Sequence, residues 1–338
     1  MGRGTMDGGT LTKRENAMAI LNGKQPDFYG NFMEAMVIIP DPVWESGRTP
    51  NDGRIHKDNW GSEFIFPPDS AGRHPVGKPE GLVIKDIERW KEQLTVPSLE
   101  GFDWSKARKL ADAVDRKKSF CAAFCTPGMF KRSHHLMSLE EGLINYLSYE
   151  DEVACLLRAI ADYMIQFLHL VAQELHVDAV FYQDDWGTKT NLWLPPDLWR
   201  RLIKPLHTEI VAAAHEHGIL FVHHADCVCE PIVQDMIDTG IDVWQGVIPQ
   251  NDIVKIQRET NGKLPMIGGI DGPAIDSEST TEEEIRAEVR RAIDTYCPGG
   301  RFFPAIAYGK LFVKKNQAIL EDEMEKYGRQ WAMEHPIQ

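Results

Sequence analysis

From residue 143 onward the chain alternates between two patterns of apolar and polar positions. Residues 150–175 carry apolar side chains at helical spacing, and residues 178–185 form an apolar run that ends in Asp184 and Asp185. The first pattern predicts an amphipathic helix and the second a buried strand. Because such pairs of helix and strand repeat, the sequence predicts parallel strands joined by helices in a single α/β domain.

The same unit continues towards the end of the chain. Further helices are predicted over residues 196–217, 230–239, 253–261 and 281–296. Strands are predicted between and after them over residues 219–224, 241–247, 264–270 and 301–307, and two earlier strands over residues 35–39 and 120–124. Gly218 and Gly240 are expected to end the first two of these helices, since glycine commonly closes a helix.

Composition narrows the class of protein. The 338 residues are 43% apolar, which is enough to bury a large core. The net charge is −14, and no run of Lys or Arg is present, which disfavours nucleic acid and anionic membranes as partners. The same charge would repel a highly carboxylated substrate unless a local cationic pocket overrode it.

The chain has no sequence signal for export or membrane insertion. Residues 1–12 are rich in glycine and polar, so we expect a disordered tail there, followed by one domain over residues 13–338. No apolar stretch approaches the ~20 residues that cross a bilayer. We therefore expect a cytoplasmic protein whose six cysteines are free thiols or metal ligands.

Four segments at or after the predicted strand ends are distinctive: Tyr182–Thr188, the proline-containing stretch of residues 194–205, the strand and helix of residues 218–240, and Gly268–Asp271. Together they resemble the uroporphyrinogen decarboxylase superfamily, and in particular its corrinoid-dependent methyltransferase branch. The resemblance runs from about Lys118 to Tyr308. It implies a (β/α)8 TIM barrel with its chemistry on the loops at the C-terminal ends of the strands, and pairing of barrels into a homodimer.

Residues 40–110 lie between the first two predicted strands and are rich in proline, glycine and tryptophan. We interpret them as a long excursion over one mouth of the barrel. A structureless loop of that length is uncommon in a compact domain, so we expect it to hold small strands and to help wall the site. In or near the predicted mouth loops lie Trp44, Trp60, Trp186, Trp193 and Trp244, whose rings suit a flat substrate or a corrinoid face, or pack the loops.

The chain departs from the thiol-activating methyltransferases of the superfamily. Those enzymes are expected to hold zinc with a His-x-Cys pair and a distant cysteine. His224 matches the histidine, but Asp226 stands at the first cysteine position, and the distant position falls near Ala307. The loss of two thiolates argues against that subclass. A shifted zinc site built from His224, Asp226, Cys227 or Cys229 is the alternative.

The chain also departs from the decarboxylase of tetrapyrrole synthesis. That enzyme is expected to carry an arginine-rich N-terminal stretch ending in Gly-Arg-Tyr and a histidine near the last strand. Here the N-terminus offers Lys13, Arg14 and Lys24 in no such arrangement, and the last strand ends in Ala-Ile-Ala-Tyr308-Gly. Strict uroporphyrinogen decarboxylase activity is therefore less well supported than methyl transfer.

Polar residues at the strand ends are expected to converge on one mouth of the barrel. We predict catalytic roles for Asp185, His224, Asp226 and Asp271, and substrate contacts for Asp184, Trp186, His134, His135, Gln245 and Tyr308. Each has a structural alternative, because an acid can cap a helix and a histidine can be buried in a hydrogen bond. His223 and His224 alternate across their strand, so only one can face the mouth, and the resemblance favours His224.

These residues suggest two kinds of chemistry. An acid beside the imidazole of His224 would fix its tautomer and raise its pKa, which suits a general acid. Alternatively, His224, Asp226 and Asp185 would bind a hard or borderline divalent metal such as zinc. No glycine-rich phosphate loop or serine nucleophile elbow is present, which argues against kinases, dinucleotide oxidoreductases and α/β hydrolases.

Three functions follow as hypotheses. The first is O-demethylation by a methyltransferase that moves a methyl group from a small methoxylated or methylated substrate, for example an aromatic one, to the cobalt of a separate corrinoid protein. A proton or a metal at His224 and Asp226 would stabilise the leaving alkoxide. The second is a cofactor-free decarboxylase, in which Asp185 or Asp271 hydrogen-bonds an electron-rich ring. The third is an inactive barrel that only binds a ligand or partner.

Overall fold

The apolar runs of the sequence form the strands of one parallel sheet. The structure, a computed structural model, describes residues 11–70 and 72–337. In chain order its strands are β1 (Met36–Ile38), β2 (Ile55–Lys57), β3 (Glu63–Ile65), β4 (His74–Pro75), β5 (Phe120–Cys125), β6 (Ala179–Gln183), β7 (Leu220–His224), β8 (Val243–Val247), β9 (Met266–Ile270) and β10 (Phe302–Ile306). The parallel sheet has the order β1-β5-β6-β7-β8-β9-β10, and β2, β3 and β4 form a separate antiparallel sheet.

Helices connect the strands of the parallel sheet. In chain order they are α1 (Lys13–Leu21), α2 (Pro42–Ser46), α3 (Trp90–Gln93), α4 (Ser105–Asp112), α5 (Met129–Met137), α6 (Leu139–Ser148), α7 (Glu150–Leu175), α8 (Pro196–Leu202), α9 (Lys204–His215), α10 (Val233–Asp238), α11 (Ile253–Thr260), α12 (Gly272–Ile275), α13 (Glu282–Tyr296) and α14 (Lys314–Glu334). Short 3-10 helices span Phe32–Ala35, Pro79–Gly81, Ile87–Arg89, Glu230–Ile232 and Cys297–Gly299. Each connection from β5 to β10 contains a helix, as parallel neighbours require.

The longest helix, α7, is a core helix of the fold. Its first turn carries Glu150, Asp151 and Glu152, which interact favourably with the positive end of the helix dipole. By length and composition alone this helix could cross a membrane, but half of its most apolar window is buried inside the protein. It packs against α9 and α5. Its apolar face is therefore accounted for by the protein core.

The predicted elements are confirmed with small differences at their ends. All seven predicted strands of the parallel sheet are present, and α7 has the predicted bounds. The helix predicted over residues 196–217 divides at Ile203, because Pro205 lies in the first turn of α9 and has no N–H to continue the hydrogen bonds of α8. Pro231 likewise starts the helix predicted over residues 230–239 as a 3-10 turn.

The parallel sheet curls until its two ends meet through side chains. The ring of Phe32, just before β1, lies 5.2 Å from that of Phe303 on β10 and 5.6 Å from that of Phe120 on β5. Helix α1 also packs against β10. The α/β class and the sequential parallel order are therefore confirmed. Of the eight strands of a (β/α)8 barrel, residues 11–70 and 72–337 contain seven, and side-chain packing bridges β1 and β10 there.

Residues 40–110, the predicted excursion, contain α2, α3, most of α4 and the small antiparallel sheet. The buried carboxylate of Asp58 fastens this segment to helix α5. Its Oδ1 accepts the backbone N–H groups of Trp60 and Ser62, each at 3.0 Å, and its Oδ2 accepts a hydrogen bond from Arg132. The β2–β3 hairpin is thereby tied to the helix that follows β5.

The predicted disordered tail, residues 1–12, falls largely outside the described residues, which begin at Leu11. Thr12 belongs to the folded part of the chain. Its hydroxyl accepts the N–H of Glu15, and the carboxylate of Glu15 accepts the N–H of Thr12. This capping box starts helix α1.

Gly328 lies where α14 meets the N-terminal segment, and a Cβ at this position would overlap the carbonyl oxygen of Tyr29. We expect Gly328→Ala to lower the free energy of unfolding by about 2 kcal/mol, because displacing a backbone carbonyl costs more than the ~1 kcal/mol that alanine gains over glycine in a helix. Urea unfolding measures this. Met333→Ala, at an exposed position of α14, is the control and should change stability by less than ~0.5 kcal/mol. Equal stability of Gly328→Ala and wild type would contradict this packing.

Candidate functional site

The C-terminal ends of β6, β7 and β8 bring polar groups side by side. In the sheet Gln183 pairs with His224, and His224 pairs with Gln245. Asp185 and Asp226 follow the first two of these strands by two residues each. Since parallel strands present their C-terminal ends at one edge, side chains that are distant in sequence meet there.

Asp185, His224 and Asp226 form what we call the acid–imidazole cluster. One ligand atom from each residue lies within 4.8 Å of the other two. His224 Nε2 is 3.5 Å from Asp185 Oδ1, and the backbone N–H of Asp226 donates to the same oxygen at 3.2 Å. Two carboxylates and an imidazole can bind a divalent cation or hold a transferable proton. Within residues 11–70 and 72–337, no other group of three His, Cys, Asp or Glu side chains converges in this way.

Lys131, on helix α5, adds a positive charge to the cluster. Its Nζ is 2.5 Å from Oδ2 of Asp185. Burial alone would raise the pKa of Asp185, but His224 and Lys131 outweigh it and hold that pKa well below its usual range. Burial and the neighbouring Asp185 carboxylate raise the pKa of Asp226. The two acids therefore differ in how readily they bind a proton: Asp185 stays ionised, whereas Asp226 takes up a proton more readily.

Gln245 fixes the orientation and the tautomer of His224. Its Oε1 accepts a hydrogen bond from His224 Nδ1, and its Nε2 donates to the carbonyl oxygen of Ala307 at 3.1 Å. Because an amide oxygen can only accept, Nδ1 carries the hydrogen and Nε2 is left facing the acids. Gln245, for which the sequence predicts a substrate contact, is in this structure a positioning residue for the imidazole.

Asp184 caps helix α5 instead of facing a substrate. Its two oxygens accept the backbone N–H groups of Phe130 at 3.0 Å and Lys131 at 2.7 Å, and Oδ2 also accepts the indole N–H of Trp186 at 3.3 Å. Burial raises the pKa of Asp184 to about 7, although the two backbone N–H groups act in the opposite direction. The structure therefore gives Asp184, for which the sequence predicts a substrate contact, the role of a buried helix cap.

Trp186 and His223 lie behind the cluster. Their rings stack with centroids 4.1 Å apart, and His223 Nε2 donates to the carbonyl oxygen of Asp184 at 3.2 Å. The ring of His207, on α9, packs edge-on against His223. Burial holds the pKa of His223 well below its usual range and lowers that of His207 to about 3. Of the two adjacent histidines of β7, His224 is the one that joins the cluster. Trp186, for which the sequence predicts a substrate contact, is buried behind it.

Asp271 and Tyr308 lie near each other but outside the cluster. Asp271 accepts the N–H of Ala274 at 3.3 Å and so caps helix α12. The hydroxyl of Tyr308 lies against Gly272, where a Cβ would overlap it. Burial raises the pKa of Tyr308 to about 12, and Asp276 and Asp271 add to the effect. The structure thus places Asp271 at the start of α12, apart from the cluster, and its predicted catalytic role stays a prediction.

Cys227 and Cys229 form a buried pair of free thiols beside the cluster. Their sulfur atoms are 3.4 Å apart. Asn251 holds the turn between them by accepting the N–H of Cys229 at 3.0 Å and donating to the carbonyl oxygen of Cys227 at 3.1 Å. Burial raises the pKa of Cys229 well above its usual range. The structure groups His224 and Asp226 with Asp185, and not with these thiols.

A cavity of about 670 Å³, which we call the aromatic cavity, adjoins the cluster. Its aromatic lining consists of Trp44, Trp60, Phe64, Phe66, Phe124, Tyr163 and Phe167, and its basic lining of Arg48, Arg73, Lys131 and Arg132, with His74, His134 and His135. The three residues of the acid–imidazole cluster do not line it. Lys131 does, and because its ammonium group also contacts Asp185, it joins the cavity to the cluster.

His134 and His135 line the aromatic cavity, where the sequence predicts substrate contacts. Burial lowers the pKa of His134 to about 4, helped by the charge of Lys131, and holds that of His135 well below its usual range. Both imidazoles are therefore neutral at neutral pH. The buried Nδ1 of His135 has no hydrogen-bond partner among the described residues, so it can bond to a ligand.

Lys131, Arg132 and Arg73 line the aromatic cavity but are not among the site residues that the sequence predicts. The first two follow the end of β5 in the same segment as His134 and His135, so their place after a strand was an available signal. Arg73 lies in the segment of residues 40–110, where no such signal exists. Its position at the cavity depends on how that segment folds back over the sheet.

Residues 130–309 match the uroporphyrinogen decarboxylase (URO-D) family, which is more than half of the chain. The protein belongs to this family, and the resemblance inferred from its strand ends is confirmed. Its fold is similar to that of a methyltransferase from Methanosarcina mazei, with a TM-score of 0.62 and 14% sequence identity over 94% of this chain and 99% of that chain. At this identity the similarity establishes a shared fold. No curated protein matches the sequence significantly.

We expect Asp184→Ala to lower the free energy of unfolding by about 1–3 kcal/mol, because two buried N–H groups at the start of α5 lose their acceptor. Urea unfolding followed by circular dichroism measures the change. The control is Asp197→Ala, which removes an exposed acid from the first turn of α8 and should cost less than ~0.5 kcal/mol. Unchanged stability of Asp184→Ala would rule out its role as the cap of α5.

We expect Zn²⁺ or Mn²⁺ to bind at the acid–imidazole cluster, with an affinity that rises from acidic to neutral pH. The sign follows from Asp226, whose raised pKa means that it must lose a proton before it binds a cation. Isothermal titration calorimetry with each metal alone measures the affinity. Asp226→Asn should weaken binding at least about tenfold, whereas Lys131→Met should strengthen it by removing a competing charge from Asp185.

The matched control for this titration is Asp151→Asn, an exposed acid of α7 distant in sequence from the cluster. It should leave the metal affinity unchanged. Metal affinity that is identical in the wild type and in Asp226→Asn would show that the cation binds elsewhere.

Proposed function

We propose that this protein is a methyltransferase that moves a methyl group from a small methoxylated aromatic substrate to a corrinoid carried by a separate protein. The observation that carries the proposal is the acid–imidazole cluster, in which His224 Nε2 faces two carboxylates beside a cavity lined by aromatic rings. Membership in the URO-D family and the fold shared with a methyltransferase from Methanosarcina mazei support it.

Methyl transfer from an ether leaves an oxyanion, which is a poor leaving group until it gains a proton or positive charge. In the proposed reaction the electron pair of the C–O bond stays on oxygen, and Nε2 of protonated His224 gives that oxygen its proton. The ionised Asp185 stabilises the imidazolium before the transfer. Gln245 keeps Nδ1 protonated throughout, so His224 returns to its neutral form with a free Nε2.

The residues of the cluster also fit a divalent cation. Asp185, His224 and Asp226 would hold it, and a cation such as zinc would supply the leaving oxygen with positive charge. The bond from His224 Nδ1 to Gln245 is the outer contact that metal-binding histidines generally make. With Asp226 at the position where the thiol-activating enzymes are expected to carry a cysteine, the site favours harder cations.

The aromatic cavity suits the substrate class. Its volume of about 670 Å³ falls within the range of roughly 300–1,000 Å³ that is typical of small-molecule sites. Rings such as those of Trp44 and Phe124, whose centroids are 5.4 Å apart, offer flat walls to an aromatic ring. Residues 40–110 supply many of the residues that line this cavity.

A second candidate function is decarboxylation by the chain alone. The basic lining of the cavity favours it, because that lining would attract a carboxylated substrate. Of the two acids expected to hydrogen-bond the ring in this reaction, Asp185 belongs to the cluster and Asp271 caps α12 outside it. Carbon dioxide release therefore serves as the competing outcome in the assay.

We expect the purified protein, incubated with methoxybenzenes and chemically reduced cobalamin as methyl acceptor, to change the cobalamin absorption spectrum and release the corresponding phenol. His224→Ala should lower the rate at least about 100-fold, which is the usual contribution of a general acid. Asp185→Asn should also lower it, because the imidazolium loses its counter-charge.

The control for this assay is His217→Ala, which removes an exposed histidine at the end of the helical region before β7. It should leave the rate unchanged. Carbon dioxide release from aromatic acids without cobalamin would favour the decarboxylase instead, and a His224→Ala protein with full activity would exclude His224 from the reaction.

A further inference from the structure

Arg73 differs from the other cations that line the aromatic cavity, because it has no acidic partner within residues 11–70 and 72–337. The other three each form an ion pair, Arg48 with Glu45, Lys131 with Asp185 and Arg132 with Asp58. Over the same residues, no aspartate or glutamate lines the cavity. Arg73 is thus a half-buried positive charge that forms no ion pair with these residues, since Asp58, whose charge also acts on it, is paired with Arg132.

The protein holds the guanidinium of Arg73 in a fixed place. Its Nη1 donates to the carbonyl oxygen of Gly47 at 2.5 Å and to the hydroxyl of Thr49 at 3.4 Å, and the group lies 4.2 Å from the ring centroid of Phe64. Nε and Nη2 donate to no group in the described parts of the chain. These two nitrogens form the edge of an arginine that binds a carboxylate through two parallel hydrogen bonds.

The surrounding charges favour an anion at this edge. Burial and the nearby charge of Arg132 lower the pKa of Arg73 to about 10, although the Asp58 carboxylate acts in the opposite direction, and Arg73 stays positively charged at neutral pH. The adjacent His135 is neutral and adds no competing charge. In a chain of net charge −14, a cavity lined by cations and no acids is the local pocket that a carboxylated ligand would need.

We propose that the aromatic cavity binds a flat aromatic acid whose carboxylate pairs with the Nε–Nη2 edge of Arg73. The aromatic walls hold the ring, and Arg73 selects aromatic acids over neutral aromatic ethers of the same shape. The cavity extends from Arg73 to Lys131, which contacts the acid–imidazole cluster. This anion site at Arg73 is inferred from the contacts of Arg73 alone. Only the reaction of the bound ligand at the acid–imidazole cluster rests on the proposed function.

The test is direct binding of para-methoxybenzoate and para-methoxybenzamide, which have nearly the same shape and differ in charge. Isothermal titration calorimetry, without cobalamin or added metal, should show that the wild type binds the acid at least about tenfold more tightly than the amide. Arg73→Gln should remove this preference by weakening binding of the acid, while binding of the amide stays unchanged. The amide thus reports that the cavity of the variant is intact.

Arg73→Lys keeps the charge but loses the two-nitrogen edge, so it should retain a smaller preference for the acid. The control is Arg89→Gln, an exposed arginine that pairs with Glu92 outside the cavity and should bind both probes like the wild type. Equal affinity of the wild type for acid and amide would overturn the proposal, as would an Arg73→Gln protein that still prefers the acid.

Failure of this proposal can be told apart from failure of the proposed function. If no methyl transfer is found but the acid binds through Arg73, the anion site stands and the reaction is wrong. If neutral methoxybenzenes are demethylated but the protein binds para-methoxybenzoate no more tightly than para-methoxybenzamide, the proposed reaction is supported and the anion site is wrong.

Discussion

The buried contact between Asp184 and the start of helix α5 is the interaction on which the site depends. Its oxygens accept the N–H groups of Phe130 and Lys131, so the helix after β5 is fixed against the end of β6. The carboxylate of the next residue, Asp185, then accepts a hydrogen bond from the ammonium group of Lys131. The two consecutive acids therefore have separate roles. Asp184 positions helix α5, and Asp185 forms an ion pair with Lys131 of that helix.

Helix α5 in turn links the two halves of the site. Lys131 extends towards the acid–imidazole cluster, while the adjacent Arg132 pairs with Asp58 and so ties the segment of residues 40–110 to α5. That segment contributes Arg73. The result is a basic cavity in an acidic protein, in contact through one lysine with a group of two carboxylates and an imidazole. A substrate that carries negative charge is compatible with this arrangement despite the net charge of the whole chain.

The cluster also explains how the chain differs from the thiol-activating members of its superfamily. Asp226 stands where those enzymes are expected to carry a cysteine, and with Asp185, which follows the neighbouring strand, it gives the cluster oxygen atoms in place of sulfur. Cys227 and Cys229 are close in sequence and form a buried pair of free thiols beside the cluster. Oxygen ligands and a histidine oriented by Gln245 suit the activation of an oxygen leaving group, which agrees with an ether as the proposed methyl donor.

The sequence by itself determined the strands, the main helices and the meeting of Asp185, His224 and Asp226, because apolar periodicity shows which segments are buried and parallel strands end at one edge. Only the tertiary structure decided which partner each polar atom takes. It made Asp184 a helix cap and Gln245 a support for the imidazole, since both depend on atoms from distant segments. The tertiary structure likewise placed Arg73 at the cavity. Arg73 belongs to a segment, residues 40–110, with no periodic pattern of apolar residues, so only long-range packing sets the position of its side chain.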